Sequence, residues 1–270
     1  MNLDTLLERI GLHDEAINIV RNYPMSECEY KELRKLFRTN TGLLIQKISA
    51  RHDFRQCFLY LYCRLAVEAY EQYRLKNIED EVYFDTFRDI TIWCENCFRY
   101  FGEYGINEYR WLVNHVKLGI FRLGRLQFQP VCLDEKICCQ DHCIESGELV
   151  LNVHIPQGQP LDEKQCDCSF KKAEAFFRGA GTAFVCHSWL LYPGLKDILP
   201  EDSNIIRFQN RFHIYKTDDN SRQGEDRIFG GLKDSPELYP EVTTLQKRAK
   251  EYLISGKKIG MGSGIIFSKF

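Results

Sequence analysis

Proline and long apolar runs are scarce in this chain. It holds 8 prolines in 270 residues and no low-complexity tract, so a disordered segment has no compositional basis. No run approaches the roughly 18 apolar residues that a membrane span requires, and no membrane partner is expected. The opening residues, MNLDTLLERIGLHDE, lack the basic-then-apolar order of a secretory signal, so a cytoplasmic protein is expected. An excess of charge of one sign is also missing: 36 Lys and Arg stand against 38 Asp and Glu, a net charge of −2. Without a basic field to attract phosphates, no nucleic-acid partner is expected. What the chain does have is 44% hydrophobic and 13% aromatic residues, enough for a sizeable core. Its length suits one large or two modest domains of roughly 100 to 200 residues.

Cysteine is abundant, at 12 residues, and raises two chemistries. A reducing compartment argues against disulfides. Zinc is suggested by WCENC, where Cys94 and Cys97 have the spacing of a half-site. The same two residues fall in a helical apolar stripe of Phe84, Phe87, Ile90, Cys94, Cys97, Phe98 and Phe101, where free cysteine packs as a small hydrophobe. CLDEKICCQDHC offers Cys132, Cys138, Cys139, His142 and Cys143, but no second CxxC or HxxxH pair at a regular separation. Cys166 is in helical register with Phe170, Ala173 and Phe177. No metal site is expected.

Hydrophobic periodicity splits the chain in two. Up to residue 118 it is helical: Leu3, Leu6, Leu7 and Ile10 recur at helical spacing before Gly11, Phe54, Phe58, Tyr62, Leu65, Ala69 and Tyr73 line a longer helix, and Ile106, Tyr109, Leu112 and Val116 precede Gly119. From 119 the period changes to 2. IFRLGRLQFQP reads as a strand closed by Pro130, followed by strands near EKICCQ and in ELVLNVHIP. LDEKQCDCSFKKAEAFFRG reads as a helix with acidic residues in its first turn and Gly179 just past its end. AFVCHSWLLYP is a strand, PGLKDIL a short helix, IIRFQNRFHIYK a strand, TTLQKRAKEYLIS a helix ending at Gly256, and KKIGMGSGIIF a last strand. The expected class is α+β, with an all-helical domain over 1–118 and a strand-and-helix domain over 119–270.

In AFVCHSWLLYP a histidine and a serine are adjacent. Successive side chains on a strand point to opposite faces, so His187 goes with Val185, Trp189 and Leu191, and Ser188 with Phe184, Cys186 and Leu190. The pair therefore cannot act as nucleophile and base, and a serine hydrolase built on it is excluded. His154 lies with Val150 and Asn152 on the more polar face of its strand. Each histidine has two readings, a group that titrates near neutrality in a cleft or a core residue with a structural partner. GMGSG puts Gly260, Gly262 and Gly264 on one face, where a backbone, a helix or a ligand can approach closely. No helix or Lys-Ser/Thr follows, so it is not a phosphate loop.

The strings FRLGRLQF, LNVHIPQGQPL, FVCHSWLLYPGLKDILP, NIIRFQNRFHIYK and SGKKIGMGSGI resemble a bacterial acyltransferase-like family with a helical N-acyltransferase N-terminal domain and a GNAT-like C-terminal domain. The resemblance spans essentially the whole chain, most firmly Trp111 to Phe270. It implies a GNAT-like mixed, mostly antiparallel sheet flanked by helices over 119–270. It also implies transfer of an acyl group from acyl-CoA, or another acyl thioester, to a small-molecule or peptide amine. In similar enzymes a backbone N–H at the end of the fourth strand polarises the thioester carbonyl, which position-matching puts near Ile155. His154, His187 and Tyr192 are the implied catalytic candidates, and the turn with Gln157, Gly158 and Gln159 the implied CoA-binding segment. That turn departs from the family pattern. Pro160 removes a donor, and Asp162 and Glu163 place negative charge at the helix N-terminus where diphosphate would sit. CoA use stays open at this point, as does a non-catalytic small-molecule or peptide binding module on the same fold. Aminoacyl transfer from a charged tRNA is a third option, which wants a basic surface.

Overall fold

The computed structural model describes residues 1–139, 142–178 and 183–267, and the fold is α+β. The chain divides into two compact units, Met1–Leu123 with Pro156–Gly158, and Gly124–Ile155 with Gln159–Phe270.

The first unit contains α1 (Leu3–Arg9), α2 (Asp14–Asn22), α3 (Glu27–Thr39), α4 (Thr41–Ser49), α5 (Phe54–Leu75), α6 (Asp80–Phe101) and α7 (Tyr109–Val116), then a short strand β1 (Phe121–Leu123). Asn2, Ser26 and Asn40 cap α1, α3 and α4 by accepting backbone N–H groups of the first turn, which satisfies donors a helix start leaves orphaned. Residues Cys57 through Cys63 are buried without interruption. A helix apolar all round is a central one, and α1, α2, α4, α6 and α7 all pack against α5. Between α6 and α7, buried Asp89 accepts from Trp111 Nε1 at 2.8 Å and pairs with His115 Nε2 at 2.9 Å. Cys94 and Cys97 are each 1% exposed on α6. Burial pushes their thiols up to about 12 and about 11, so both stay protonated core residues.

The second unit runs β2 (Leu126–Cys132), β3 (Ile137–Cys139), β4 (His142–Ile144), β5 (Leu149–His154), α8 (Glu163–Phe177), β6 (Phe184–Ser188), α9 (Asn204–Gln209), β7 (His213–Asp218), α10 (Gln223–Phe229), α11 (Thr244–Ile254) and β8 (Met261–Ile266). Its sheet has the order β2-β5-β6-β8-β7. β5 and β6, joined through α8, form the parallel pair, and the other pairings are antiparallel. The helix-side face is aromatic: Phe170 of α8 meets Phe128 and Phe184 edge-on, at 5.8 and 4.9 Å between centroids. A smaller apolar cluster of Leu195, Ile198, Ile206, Ile228, Phe229, Ala249 and Leu253 gathers α9, α10 and α11.

Several boundaries differ from the sequence expectation, each for a local reason. The first expected strand is broken at Gly124, whose φ of +81° suits a turn and not a ladder. Pro130 does not close a strand but lies inside β2, opposite Leu151. A proline is tolerated in a strand where its missing N–H is not called on by the ladder. AFVCHSWLLYP leaves the sheet at Ser188, whose Oγ accepts from Leu190 N at 3.2 Å and starts a 3-10 turn over Trp189–Leu191. His187 therefore keeps Val185 on its face but not Trp189 or Leu191. IIRFQNRFHIYK is a helix followed by a strand, because Ser203 caps α9. The helix α10 had no counterpart in the reading of the sequence. Gly179 lies outside the described residues.

The cysteine-rich segment also corrects an expectation. In place of one strand there is a hairpin, and its register sets Cys138 directly opposite Cys143 with Cα atoms 4.2 Å apart. The two are joined in a disulfide, contrary to the disulfide-free reading. Spacing alone did not reveal this because the pairing depends on hairpin register.

The glycine face of β8 is filled by protein. A Cβ at Gly264 would meet Cβ of Phe212 at 2.8 Å, and one at Gly262 would strike the backbone of Leu191. Gly262→Ala is expected to cost roughly 1 to 3 kcal/mol as an overpacking change, measured as a lowered denaturant midpoint with an unchanged slope. An unaltered midpoint would mean the 3-10 turn does not press on β8.

Candidate active site

Among the described residues β5 and β6 are paired at two positions, Leu151 with Phe184 and Asn152 with Val185. Beyond them β5 continues to His154 and β6 continues to Ser188 along β8. The two parallel strands thus part after Asn152 and Val185. His154 stands two residues beyond Asn152, and His187 two beyond Val185. The period of 2 places both on the same face, at matching levels on the two sides of the opening.

The side chains around them come from strand register. β2 sets Gln127 opposite His154 and Gln129 opposite Asn152. Gln129 Oε1 lies 3.0 Å from His154 Nε2. Gln127 is 1% exposed, and its Nε2, like Oδ1 of Asn152, is buried without a hydrogen-bond partner among the described residues. Buried polar atoms are rarely left unpaired in proteins, so these two give the opening a donor and an acceptor with capacity for a ligand.

On the other side, β8 sets Ser263 opposite His187, with Ser263 Oγ 2.8 Å from His187 Nδ1. The β7–β8 register shifts between Ile214 and Lys216. This bulge turns Tyr215 onto the same face, where its ring meets the imidazole edge-on at 6.5 Å. Bulges re-aim side chains in this way. Lys216 is opposite Ser263 and pairs with Glu135 at 3.3 Å. The His187 pKa is lowered, first by partial desolvation of the ring, although the residue is exposed overall, and then by Lys216, with Glu135 opposing. Desolvation and a nearby cation both disfavour imidazolium, so both favour the neutral, proton-accepting form of His187.

The remaining residues singled out in the sequence lie as follows. Ile155 is one residue past β5, where the strands have already separated. Gln157 Oε1 accepts from Asn96 Nδ2 at 3.0 Å. Gly158 adopts φ +104°. The carbonyls of Gln159 and Pro160 accept from the buried Arg125 guanidinium at 2.6 and 2.8 Å. Asp162 caps α8 by accepting from Gln165 N, and Glu163 faces Arg207 at 3.5 Å and Arg211 at 3.8 Å. Tyr192 is not brought to the histidines. Its ring lies against Gly260 with Asp219 nearby, on the glycine side of β8 and away from Ser263. Burial, then Asp219, pushes its pKa up to about 12. Ser263, Tyr215, Gln127, Gln129 and Asn152 escaped the sequence reading. A polar residue between Gly262 and Gly264, on the face the glycines leave, was the one signal for Ser263.

Residues 120–266 match the family model described as the GNAT-like C-terminal domain, and residues 1–118 that of the N-acyltransferase N-terminal domain. Among solved structures, an acyltransferase variant in complex with octanoyl-CoA superposes with a TM-score of 0.80 at 20% identity, covering 98% of this chain and 87% of that one. An acyltransferase in complex with decanoyl-CoA and teicoplanin gives 0.79 at 20% identity with the same coverage. One with decanoyl-CoA gives 0.79 at 22% identity, covering 98% and 86%. At these identities the likeness is one of fold. No curated protein matches the sequence.

The electrostatics around His187 can be tested directly. Lys216→Gln is expected to raise the His187 pKa and Glu135→Gln to lower it further, read from histidine ring resonances across a pH titration. A pKa indifferent to both charges would separate His187 from Lys216 and Glu135.

Proposed function

Because the chain belongs to the family with a GNAT-like C-terminal domain, here preceded by an N-acyltransferase N-terminal domain, we propose that it is an N-acyltransferase. It moves an acyl group from acyl-CoA to the amine of a small molecule or peptide. The observation that carries the reading is the opening between β5 and β6, with one histidine on each side on a shared face. A thioester laid in such an opening meets backbone groups that have no partner strand, and meets both imidazoles.

The chemistry divides between the two sides. His187, held by Ser263 and favoured in its neutral form by its surroundings, takes a proton from the incoming ammonium so that the amine lone pair can attack. The C–N bond forms, the carbonyl carbon passes through a tetrahedral oxyanion, and the C–S bond breaks. The Ile155 backbone N–H, just past the end of β5, is assigned to the carbonyl oxygen. His154, oriented by Gln129, gives the departing sulfur its proton, and the second proton of the amine nitrogen leaves to water as the intermediate collapses to the amide. Gln127 Nε2 and Asn152 Oδ1 are available to an amide of the donor or acceptor. Tyr192 has no part, since it faces the other side of the sheet.

The anionic end of the donor is assigned to the segment from Gln159 to the start of α8. The acids there are offset: Glu163 already faces two guanidiniums, and Arg207 is half-exposed. An arginine held by one exposed carboxylate exchanges readily to a phosphate, since such surface pairs are weak. The fold neighbours that hold octanoyl-CoA, decanoyl-CoA and teicoplanin support a medium-chain donor and a large acceptor as the first pair to try.

Thermal unfolding with a series of acyl-CoAs tests the donor. A ligand at 100 times its dissociation constant adds about 2.7 kcal/mol, which raises the midpoint of a protein this size by several degrees. No shift with any chain length, in a protein that melts cooperatively, would sink the reading. Once an acceptor is found, His187→Ala is expected to lower turnover by roughly 10²- to 10⁴-fold, as loss of a general base does, measured by release of free CoA thiol.

A further inference from the structure

Four of the twelve cysteines fall within residues 132–143, and the acyl-transfer reading uses none of them. Register sorts the hairpin that carries three of these: Ile137 pairs with Ile144, Cys138 with Cys143 and Cys139 with His142. Alternation puts Cys138 and Cys143 on one face and the other four residues on the opposite one. Ile137 and Ile144 are 3% and 4% exposed, whereas Cys138 and Cys143 are both exposed. The disulfide that joins them therefore lies on the solvent side of the hairpin, and the isoleucines seat the hairpin on the protein.

The surface beneath is the sheet face that carries the histidines. Leu133, Ile137 and Ile144 form one apolar cluster with Val150, Val185 and Ile265. Val150 shares its face with Asn152 and His154 on β5, Val185 with His187 on β6, and Ile265 with Ser263 on β8. Cys139 and Tyr215 both pack on this cluster, and the Tyr215 ring meets His187 edge-on at 6.5 Å. Just ahead of β3, Glu135 reaches Lys216 at 3.3 Å, and Lys216 is opposite Ser263. The hairpin thus stands at the closed end of the opening between β5 and β6.

Backbone hydrogen bonding gives the hairpin little strength of its own. β3 and β4 have three residues each and pair with one another in a sheet of two strands, an arrangement that is marginally stable by itself. The disulfide ties the two strands and restricts the unfolded conformations of the segment. Thiolate attack on a disulfide requires access to a sulfur, and both of these cysteines face solvent. Cys139 cannot be the attacking thiol, because it lies on the opposite face of its strand. The thiol has to come from solution.

We propose that Cys138 and Cys143 form a thiol-exchange site whose oxidation state sets how firmly the β3–β4 hairpin stands against the face that carries His187. The co-reactant is a thiol reductant. One reductant thiolate attacks Sγ of Cys138 or Cys143, the S–S bond breaks, and the other protein sulfur leaves as a thiolate and takes a proton. A second reductant thiolate attacks the mixed disulfide and frees the remaining protein thiol. The reductant ends as its own disulfide, and the protein has gained two electrons and two protons. The consequence for turnover rests on the acyl-transfer reading above; the response of the hairpin does not.

The test uses the full chain, with dithiothreitol as reductant and oxidised glutathione as oxidant. In oxidised protein, alkylation with iodoacetamide read by mass spectrometry should show Cys138 linked to Cys143 and label Cys28, Cys132 and Cys168, the exposed free cysteines among the described residues. After reduction, the amides of β3 and β4 should exchange with deuterium roughly 10- to 100-fold faster, the scale of losing a short-loop disulfide, with α5 unchanged. The His187 ring resonances should shift in the same samples, and re-oxidation should restore both signals. Cys138→Ser combined with Cys143→Ser should give the reduced pattern with or without dithiothreitol, and Cys139→Ser, which keeps the pair, should respond as wild type does. Given an acceptor, reduction should lower kcat/KM in wild type and leave the double variant unchanged. Free or glutathione-capped Cys138 and Cys143 in the oxidised protein would overturn the proposal. So would a reduction that leaves either the hairpin exchange or the His187 resonances where they were. A redox-responsive hairpin and His187 in a protein that binds no acyl-CoA would instead uphold it and overturn the acyl-transfer reading.

Discussion

The second unit depends on one interruption of hydrogen bonding. β5 and β6 begin as neighbouring parallel strands and stop pairing after Asn152 and Val185. Backbone N–H and C=O groups are obligatory hydrogen-bonding groups, so strands that part must hand theirs to water, to another element or to a ligand. β6 is held in place by its bonds to β8 as far as Ser188 and Gly262, and β5 by its bonds to β2 as far as His154 and Gln127, while the groups on the edges turned to the opening are left to water or a ligand. The opening is thus held from both sides by complete antiparallel ladders, which makes it a fixed feature of the sheet.

The two faces of that sheet are built for opposite purposes. Towards α8 the side chains are aromatic and the contacts edge-to-face, with Phe170 as the hub. On the other face, apolar residues such as Val150, Val185 and Ile265 give way to Gln127, Gln129, Asn152, His154, His187 and Ser263 around the opening. A polar group enclosed by protein costs free energy unless it is bonded, and most of these are bonded to one another in specific pairs. The glycines of β8 belong to the first face, where they let Leu191 and Phe212 come close. Their role is to seat the 3-10 turn that ends the β6 segment, and so to set where His187 stops sharing its face with the residues that follow it.

Charge is arranged with similar economy. The acids that made the α8 N-terminus look unsuited to an anion do not stand alone, since Asp162 is committed to its own helix and Glu163 to Arg207 and Arg211. Those arginines come from α9 and the residues after it, in a stretch that the sequence pattern presented as strand. The compensation was therefore invisible in the linear chain: it depends on a helix whose cap, Ser203, is an ordinary serine in a polar run.

Local patterning determined much of this protein. Helical periodicity marked the first unit, alternation marked β2, β5, β6 and β8, and the exclusion of a His187–Ser188 pair followed from strand geometry alone. The α+β class and the family resemblance followed as well, because repeated apolar spacing and local strings survive in the sequence. Tertiary structure decided what depends on register between distant segments: the pairing of Cys138 with Cys143, the meeting of His187 with Ser263 across 76 positions, the bulge that delivers Tyr215, and the side of the sheet on which Tyr192 ends. A one-residue slip in any of these strands would reverse which side chains face the opening. Register is settled by which faces can be buried together, and no single segment carries that information.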